Sequence, residues 1–259
     1  MPISNQFLYS LIIAVFVAGA AGYVGSLMVT KRMALVGDAL GHVALPGIGL
    51  ALLLGLNISF GAFVFLFLGV LSVWFLESKT SLATETLVGI VFVFSLALGF
   101  LITPQPDLLE ALVGNISNVS FLETIISALI SVLVIFTTQK IYPKIILSSI
   151  SEDLAAANKI NIKKYNFIYL LIVAVIVALG VRIVGSLLVG ALVIIPPASA
   201  RIISRNMRQY AVASGGFGML SCVLGIFLSR AVNFPAGPLI ILICSLFFAL
   251  CLIFKKRSN

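Results

Sequence analysis

The sequence predicts an all-α polytopic membrane protein that crosses the bilayer about nine times. Three observations carry that expectation. The chain is 61% hydrophobic and 9% charged, with a mean hydropathy of +1.25. Its apolar runs have spanning length. Its Lys and Arg residues gather in alternate breaks between those runs. Soluble domains carry about 25% charged residues, so a water-soluble function is excluded. A spanning helix needs about 20 mostly apolar residues, and helices satisfy their own backbone in lipid.

Nine segments fit: 6–30, 34–55, 58–76, 86–102, 121–138, 166–180, 183–200, 210–229 and 238–254. Eight is the nearest alternative, because the sixth and seventh are short and joined by Gly180-Val181-Arg182. The first, from Phe7 to Thr30, is too long for the apolar part of a signal peptide and has no basic residues before it, so it reads as a span. The second holds Asp38 and His42. The loop 103–120 carries Asp107 and Glu110 and no Lys or Arg. The stretch 139–165 is the longest between spans. Its middle, Ser151-Glu152-Asp153-Leu154-Ala155-Ala156-Ala157-Asn158, reads as a short helix with a Ser N-cap and acids in the first turn. It fits a docking helix for a soluble partner or a plain surface helix. Pro196-Pro197 ends the seventh segment and frees the carbonyls of Leu192 and Val193, as a hinge or a static break. Ser214-Gly215-Gly216-Phe217-Gly218 opens the eighth with residues small enough for close helix packing. Asn233-Phe234-Pro235-Ala236-Gly237-Pro238 is a turn before the ninth. Cys222, Cys244 and Cys251 lie in apolar segments without CxxC spacing and read as packing residues.

Charge sets the expected orientation. With the Lys31-Arg32 break in the cytoplasm, alternation places fourteen of the sixteen basic residues inside and leaves only Arg182 and Arg230 outside. The N-terminus is then outside and the C-terminus cytoplasmic. The net charge of +8 reflects cytoplasmic loops and not a nucleic-acid surface.

Asp38 and His42 are the most informative pair, and His42 is the only histidine in the chain. Four residues apart on a helix, they share a face. An acid in the membrane is costly and usually lines a pathway or pairs with something. A carboxylate with an imidazole can hold a divalent transition metal, and two ligands are too few to retain it. A pair that hydrogen-bonds one helix to another is the competing reading. Pro46 lies four residues beyond His42, so it should kink the helix and free the His42 carbonyl. Gly37 and Gly41 form a small face beside the pair.

Absences narrow the function. The chain has no G-x-x-x-x-G-K-[ST] phosphate loop and no H-E-x-x-H, and a Ser/His/Asp set would have to use His42. Val24-Gly25-Ser26-Leu27-Met28-Val29 recurs as Val184-Gly185-Ser186-Leu187-Leu188-Val189, a weak sign of duplication.

Five stretches, in order along the chain, resemble one family. Gly37-Asp38-Ala39-Leu40-Gly41-His42-Val43-Ala44-Leu45-Pro46-Gly47 resembles the G-D-A-[IL]-S-H-x-x-L-P-G signature of the zinc/manganese/iron ABC-transporter permeases, the ABC-3 family. The runs from Thr84 to Phe92, Leu112 to Ile116, Val184 to Arg201 and Phe234 to Pro238 are similar to its later segments. The chain departs from the family pattern at Gly41, where Ser is usual, at Pro197 for Ala, and at Lys159, where Gly is usual. The resemblance implies an importer-type permease that is not itself an enzyme and holds no permanent cofactor. It implies a permease homodimer, a separate ATP-binding subunit and an extracytoplasmic metal-binding protein. It assigns docking of the ATPase to residues 150–164, with Glu152, Asp153, Leu154, Ala155, Lys159 and Ile160 at the contact. It places Asp38 and His42 on the metal path.

The leading expectation is import of Zn²⁺ or Mn²⁺ across the cell membrane, driven by ATP on the partner. An ATP-independent channel or secondary transporter, a metal-chelate permease and a membrane scaffold are the alternatives. Nitrogen donors favour zinc and oxygen-rich shells manganese, so one His and one Asp do not choose between them.

Overall fold

The computed structural model describes residues 5–103, 112–114, 119–186 and 188–257. Among them every regular element is helical: α1 (Asn5–Thr30), α2 (Ala34–Val43), α3 (Leu45–Leu54), α4 (Ile58–Lys79), α5 (Thr84–Ile102), α6 (Phe121–Ile150), α7 (Glu152–Ala157), α8 (Ile162–Val184), α9 (Val189–Ile203), α10 (Met207–Val232) and α11 (Ala236–Arg257). The expected loop acids Asp107 and Glu110 lie outside the described residues.

Among the described residues each of the nine apolar segments is helical over most of its length. Eight stretches among the described residues are long and apolar enough to cross a membrane, α2 and α3 jointly forming one of them. The ninth is α9, with 15 residues. At 1.5 Å per residue it rises about 22 Å, short of the roughly 30 Å hydrocarbon core. Helix starts follow local chemistry. Asn57 accepts the Ser59 and Phe60 amides, Ser120 and Glu123 form a capping box, and Asn161 and Asn206 cap α8 and α10.

One junction differs from the sequence reading. The helix does not stop at Gly180-Val181-Arg182 but runs on to Val184. It stops where Gly185 takes φ +83° and ψ 166°, a backbone region that only glycine enters readily. The recurrence of Val24–Val29 at Val184–Val189 therefore joins unlike backbones: the first copy lies inside α1, the second spans this break. Leu187 itself is outside the described residues.

α1 forms the centre and packs on α6, α8, α9 and α10. Ala14, Val17, Ala18, Ala21, Val24 and Leu27 are fully buried there. The α1–α10 contact is close because Gly22 lies against the Ser214 carbonyl and Gly218 against the Ala18 carbonyl, as the small-residue run predicts. α4, α5, α6 and α11 turn Trp74, Phe94, Leu101, Leu133 and Phe254 outward. A continuous exposed apolar surface of this kind belongs in lipid.

The two ends of the bundle differ chemically. At one, the Lys31 ammonium donates to Asn166 Oδ1 at 2.7 Å and lies 5.0 Å over the Tyr169 ring, while Lys144 donates to the Tyr165 hydroxyl at 2.6 Å. At the other, Asn57 Nδ2 donates to Glu123 Oε1 at 2.9 Å and Tyr9 packs on Phe121. Breaks that alternate in sequence thus meet in space, and the basic ones share an end.

Candidate functional site

α2 ends for the reason its proline suggests. Pro46 has no N–H to continue the helical ladder, so the chain turns at Ala44 and restarts as α3 with Pro46 in its first turn. Ala44 keeps right-handed dihedrals, and its N–H turns to the His42 carbonyl. The helix is interrupted at Ala44, and the His42 carbonyl is engaged rather than open.

Asp38 and His42 stand on α2 as half-buried side chains. The bond joining the two residues runs to the backbone: His42 Nδ1 lies 3.0 Å from the Asp38 carbonyl oxygen. A carbonyl can only accept, so Nδ1 carries a proton, and in the neutral imidazole the lone pair is then on Nε2. The edge of Phe92 on α5 packs against the imidazole with ring centroids 5.3 Å apart, which steadies the ring plane. The Asp38 carboxylate is thereby left out of the intrahelical bond and remains an acceptor with both oxygens. Among the described residues no group of three or more His, Cys, Asp and Glu side chains gathers to hold a metal ion. Asp38 and His42 place one carboxylate and one imidazole on this one helix.

The wall opposite comes from the break between α8 and α9. A Cβ on Gly190 would stand 2.5 Å from Asp38 Oδ1 and 2.6 Å from Asp38 Cα, so α9 meets α2 at van der Waals contact only because this residue is glycine. A Cβ on Gly41 would stand 2.7 Å from the Ser186 carbonyl oxygen. Ser186 is fully buried, and its hydroxyl has no hydrogen-bond partner. The break is held from the far side by Leu112–Gly114, whose Leu112 carbonyl lies against Gly185, and by Gly237, which sits between the Val113 and Val184 carbonyls. Three stretches far apart in sequence therefore converge next to the Asp38–His42 helix. Residue type marked Asp38 and His42. Gly190 and Ser186 carried no such signal, because what matters about them is a contact about 150 residues away in the chain.

A short helix forms where the Ser151 cap predicts it. Ser151 caps α7 by accepting the Leu154 amide. The helix closes with the Lys159 amide on the Ala156 carbonyl and the Ile160 amide on the Ala155 carbonyl, both at 2.9 Å. This is a Schellman closure, whose C′ residue is normally Gly in the left-handed region. Here it is Lys159, at φ +56°. Ala155 is buried and Ile160 half-buried, while Asp153, Leu154 and Lys159 are exposed. Glu152 begins the helix. Ile150, 72% exposed at the end of α6, adds to the apolar surface that Leu154 presents, a contribution that no residue-type signal marks.

A model of the ABC 3 transport family matches residues 4–255. The chain belongs to the ABC 3 transport family. It is 32% identical to the high-affinity zinc uptake system membrane protein ZnuB of Haemophilus influenzae, over 90% of this chain and 91% of that protein. It is 29% identical to the manganese import system permease protein ScaB of Streptococcus gordonii, over 92% and 87%. It is 28% identical to the manganese transport system membrane protein MntC of Listeria monocytogenes, over 96% and 91%. Its fold matches a chain of PsaBC from Streptococcus pneumoniae in complex with Fab, with a TM-score of 0.84, 27% identity and coverage of 99% and 96%. Two departures from the ABC 3 pattern now have physical settings. Gly41, where Ser is usual, meets the Ser186 backbone too closely for a side chain. Lys159, where Gly is usual, is held in the conformation that suits Gly.

Proposed function

We propose that this chain is the membrane-spanning permease subunit of an ATP-driven importer of divalent transition-metal ions. The supporting observation is the pairing of a free Asp38 carboxylate with a His42 imidazole whose Nε2 lone pair is left available by the Nδ1 bond to the backbone. A hard oxygen and a borderline nitrogen donor on one face suit Zn²⁺ and Mn²⁺, the ions named in the relatives. Two donors per chain give passage rather than storage, and a second permease copy completes the path as a homodimer. ATP is hydrolysed on a separate subunit that docks on residues 150–164, with Leu154 as its apolar contact. A metal-binding protein delivers the ion to the opposite, outer face. The charge pattern sets the N-terminus outside and the C-terminus in the cytoplasm of a cell membrane. The chain itself is not an enzyme and carries no resident cofactor.

The test is uptake of Zn²⁺ and Mn²⁺, each competed against the other, into proteoliposomes holding the permease and its ATPase, with the binding protein outside. ATP-dependent accumulation of either ion supports the proposal. Flux that is unchanged without ATP would assign the chain to the channel or secondary-transporter class.

A further inference from the structure

We infer that the basic end of the molecule carries a binding site for a phosphate group, and that its occupant is the headgroup of an anionic phospholipid. A cavity of about 240 Å³ opens there between the end of α1, the end of α9 and the start of α10. Its wall includes Thr30, Arg201, Ser204, Arg205, Met207 and Tyr210. Both arginines are exposed at the rim. Tyr210 is 4% exposed and its hydroxyl faces the Thr30 and Arg201 side chains, while the buried Ser204 hydroxyl has no hydrogen-bond partner. Two guanidinium forks, with the Ser204 and Tyr210 hydroxyls beside them, form a donor set that a phosphate diester takes.

The cavity also receives the start of α10. Asn206 Oδ1 accepts the Gln209 amide, the Asn206 carbonyl accepts the Tyr210 amide, and the Arg205 amide is spent on Gln209 Oε1. The Met207 and Arg208 amides of the first turn are the leftover donors of a 26-residue helix, at the end where its dipole favours an anion.

Three features point to a lipid rather than free phosphate. The cavity lies at the end of spanning helices, at headgroup depth. Ile203 and Met207, 48% and 42% exposed, flank the arginines with apolar surface. Val212, Leu220 and Leu224, farther along α10, are also exposed apolar side chains. Basic pockets between spanning helices are established headgroup sites in general. The site is distinct from the Asp38–His42 face and does not depend on the proposed transport function or orientation.

The experiment is native mass spectrometry of the full-length permease in detergent, titrated with phosphatidylglycerol or phosphatidylcholine. We expect phosphatidylglycerol to bind at least tenfold more tightly. The loss of a charged hydrogen-bond partner costs about 1.5–3 kcal/mol, so Arg205→Gln should weaken binding about tenfold or more. Arg201→Gln with Arg205→Gln should equalise the two lipids, and Tyr210→Phe should weaken phosphatidylglycerol while leaving its preference over phosphatidylcholine. Arg205 is exposed, so the single variant tests the site without burdening the fold. Equal binding of both lipids by the unaltered chain overturns the inference. So does an Arg205→Gln chain that retains full preference. Displacement of the lipid by millimolar inorganic phosphate overturns the lipid assignment.

Discussion

Gly190→Ala is the substitution that most sharply tests how the site is built. Its Cβ would stand 2.5 Å from Asp38 Oδ1 and 2.6 Å from Asp38 Cα. Ordinary carbon contacts begin near 3.5 Å, so α2 and α9 must part by about 1 Å, or Asp38 must turn away. The backbone is helical on both sides, which leaves little room for the second adjustment. Overpacking of this size costs about 1–3 kcal/mol, and replacing Gly by Ala in a helix returns about 1 kcal/mol. The net loss of stability is at most about 2 kcal/mol, and the protein stays folded. Metal ligation tolerates about 0.2 Å, so a shift of about 1 Å at Asp38 should remove it. We expect uptake per folded permease to fall at least tenfold in Gly190→Ala. Gly216→Ala is the matched control, since a Cβ there meets nothing within 4 Å, and it should transport normally. The assay is uptake of radiolabelled Mn²⁺ or Zn²⁺ in proteoliposomes, normalised to monodisperse protein. Normal transport by Gly190→Ala would show that the α2–α9 contact does not position the Asp38 carboxylate for function.

Three further outcomes are expected. Lys159→Gly relieves a left-handed Lys at the end of α7 and should stabilise that turn by about 1 kcal/mol, read as slower amide exchange at Lys159 and Ile160; unchanged exchange would mean the turn carries no strain. Leu154→Asp, made with Ile150→Asp, places charge on two exposed apolar side chains and should abolish ATP-driven uptake while the permease still inserts; intact coupling in the double variant would move the docking surface elsewhere. Cysteines placed at Ser4 and Ser258, in a chain lacking Cys222, Cys244 and Cys251, should label from opposite sides of the membrane; labelling from the same side would contradict the orientation drawn from the basic residues.

The helices were legible because lipid imposes a length and a composition on each span, and both can be read one segment at a time. Asp38 and His42 were legible for a related reason: ionisable groups are rare where desolvation is expensive. Their spacing suggested converging side chains. The structure shows instead the imidazole bonded to the Asp38 backbone, a competition between backbone and carboxylate that spacing alone does not decide. The helix end near residue 182 was misplaced because Arg182 resembled a boundary, whereas the dihedrals of Gly185 set it. Gly190, Ser186 and the convergence of Leu112–Gly114 with Gly237 depend on contacts between distant segments, and one-dimensional periodicity does not carry them. The short helix after α6 was legible from its Ser151 cap, whereas the left-handed closure at Lys159 is set by dihedrals that residue type does not give.

The central claim is that Asp38 and His42 carry the metal. The most direct measurement is uptake normalised to folded permease for Asp38→Ala and His42→Ala, with Zn²⁺ and Mn²⁺ offered together. The carboxylate offsets the cost of bringing a dication into the membrane, so Asp38→Ala should abolish uptake of both ions. The imidazole supplies the nitrogen donor that favours zinc, so His42→Ala should lower uptake and shift the remainder toward Mn²⁺. Normalised uptake unchanged in both variants would show that the pair only holds the helix in place, and the account of the metal path would be wrong.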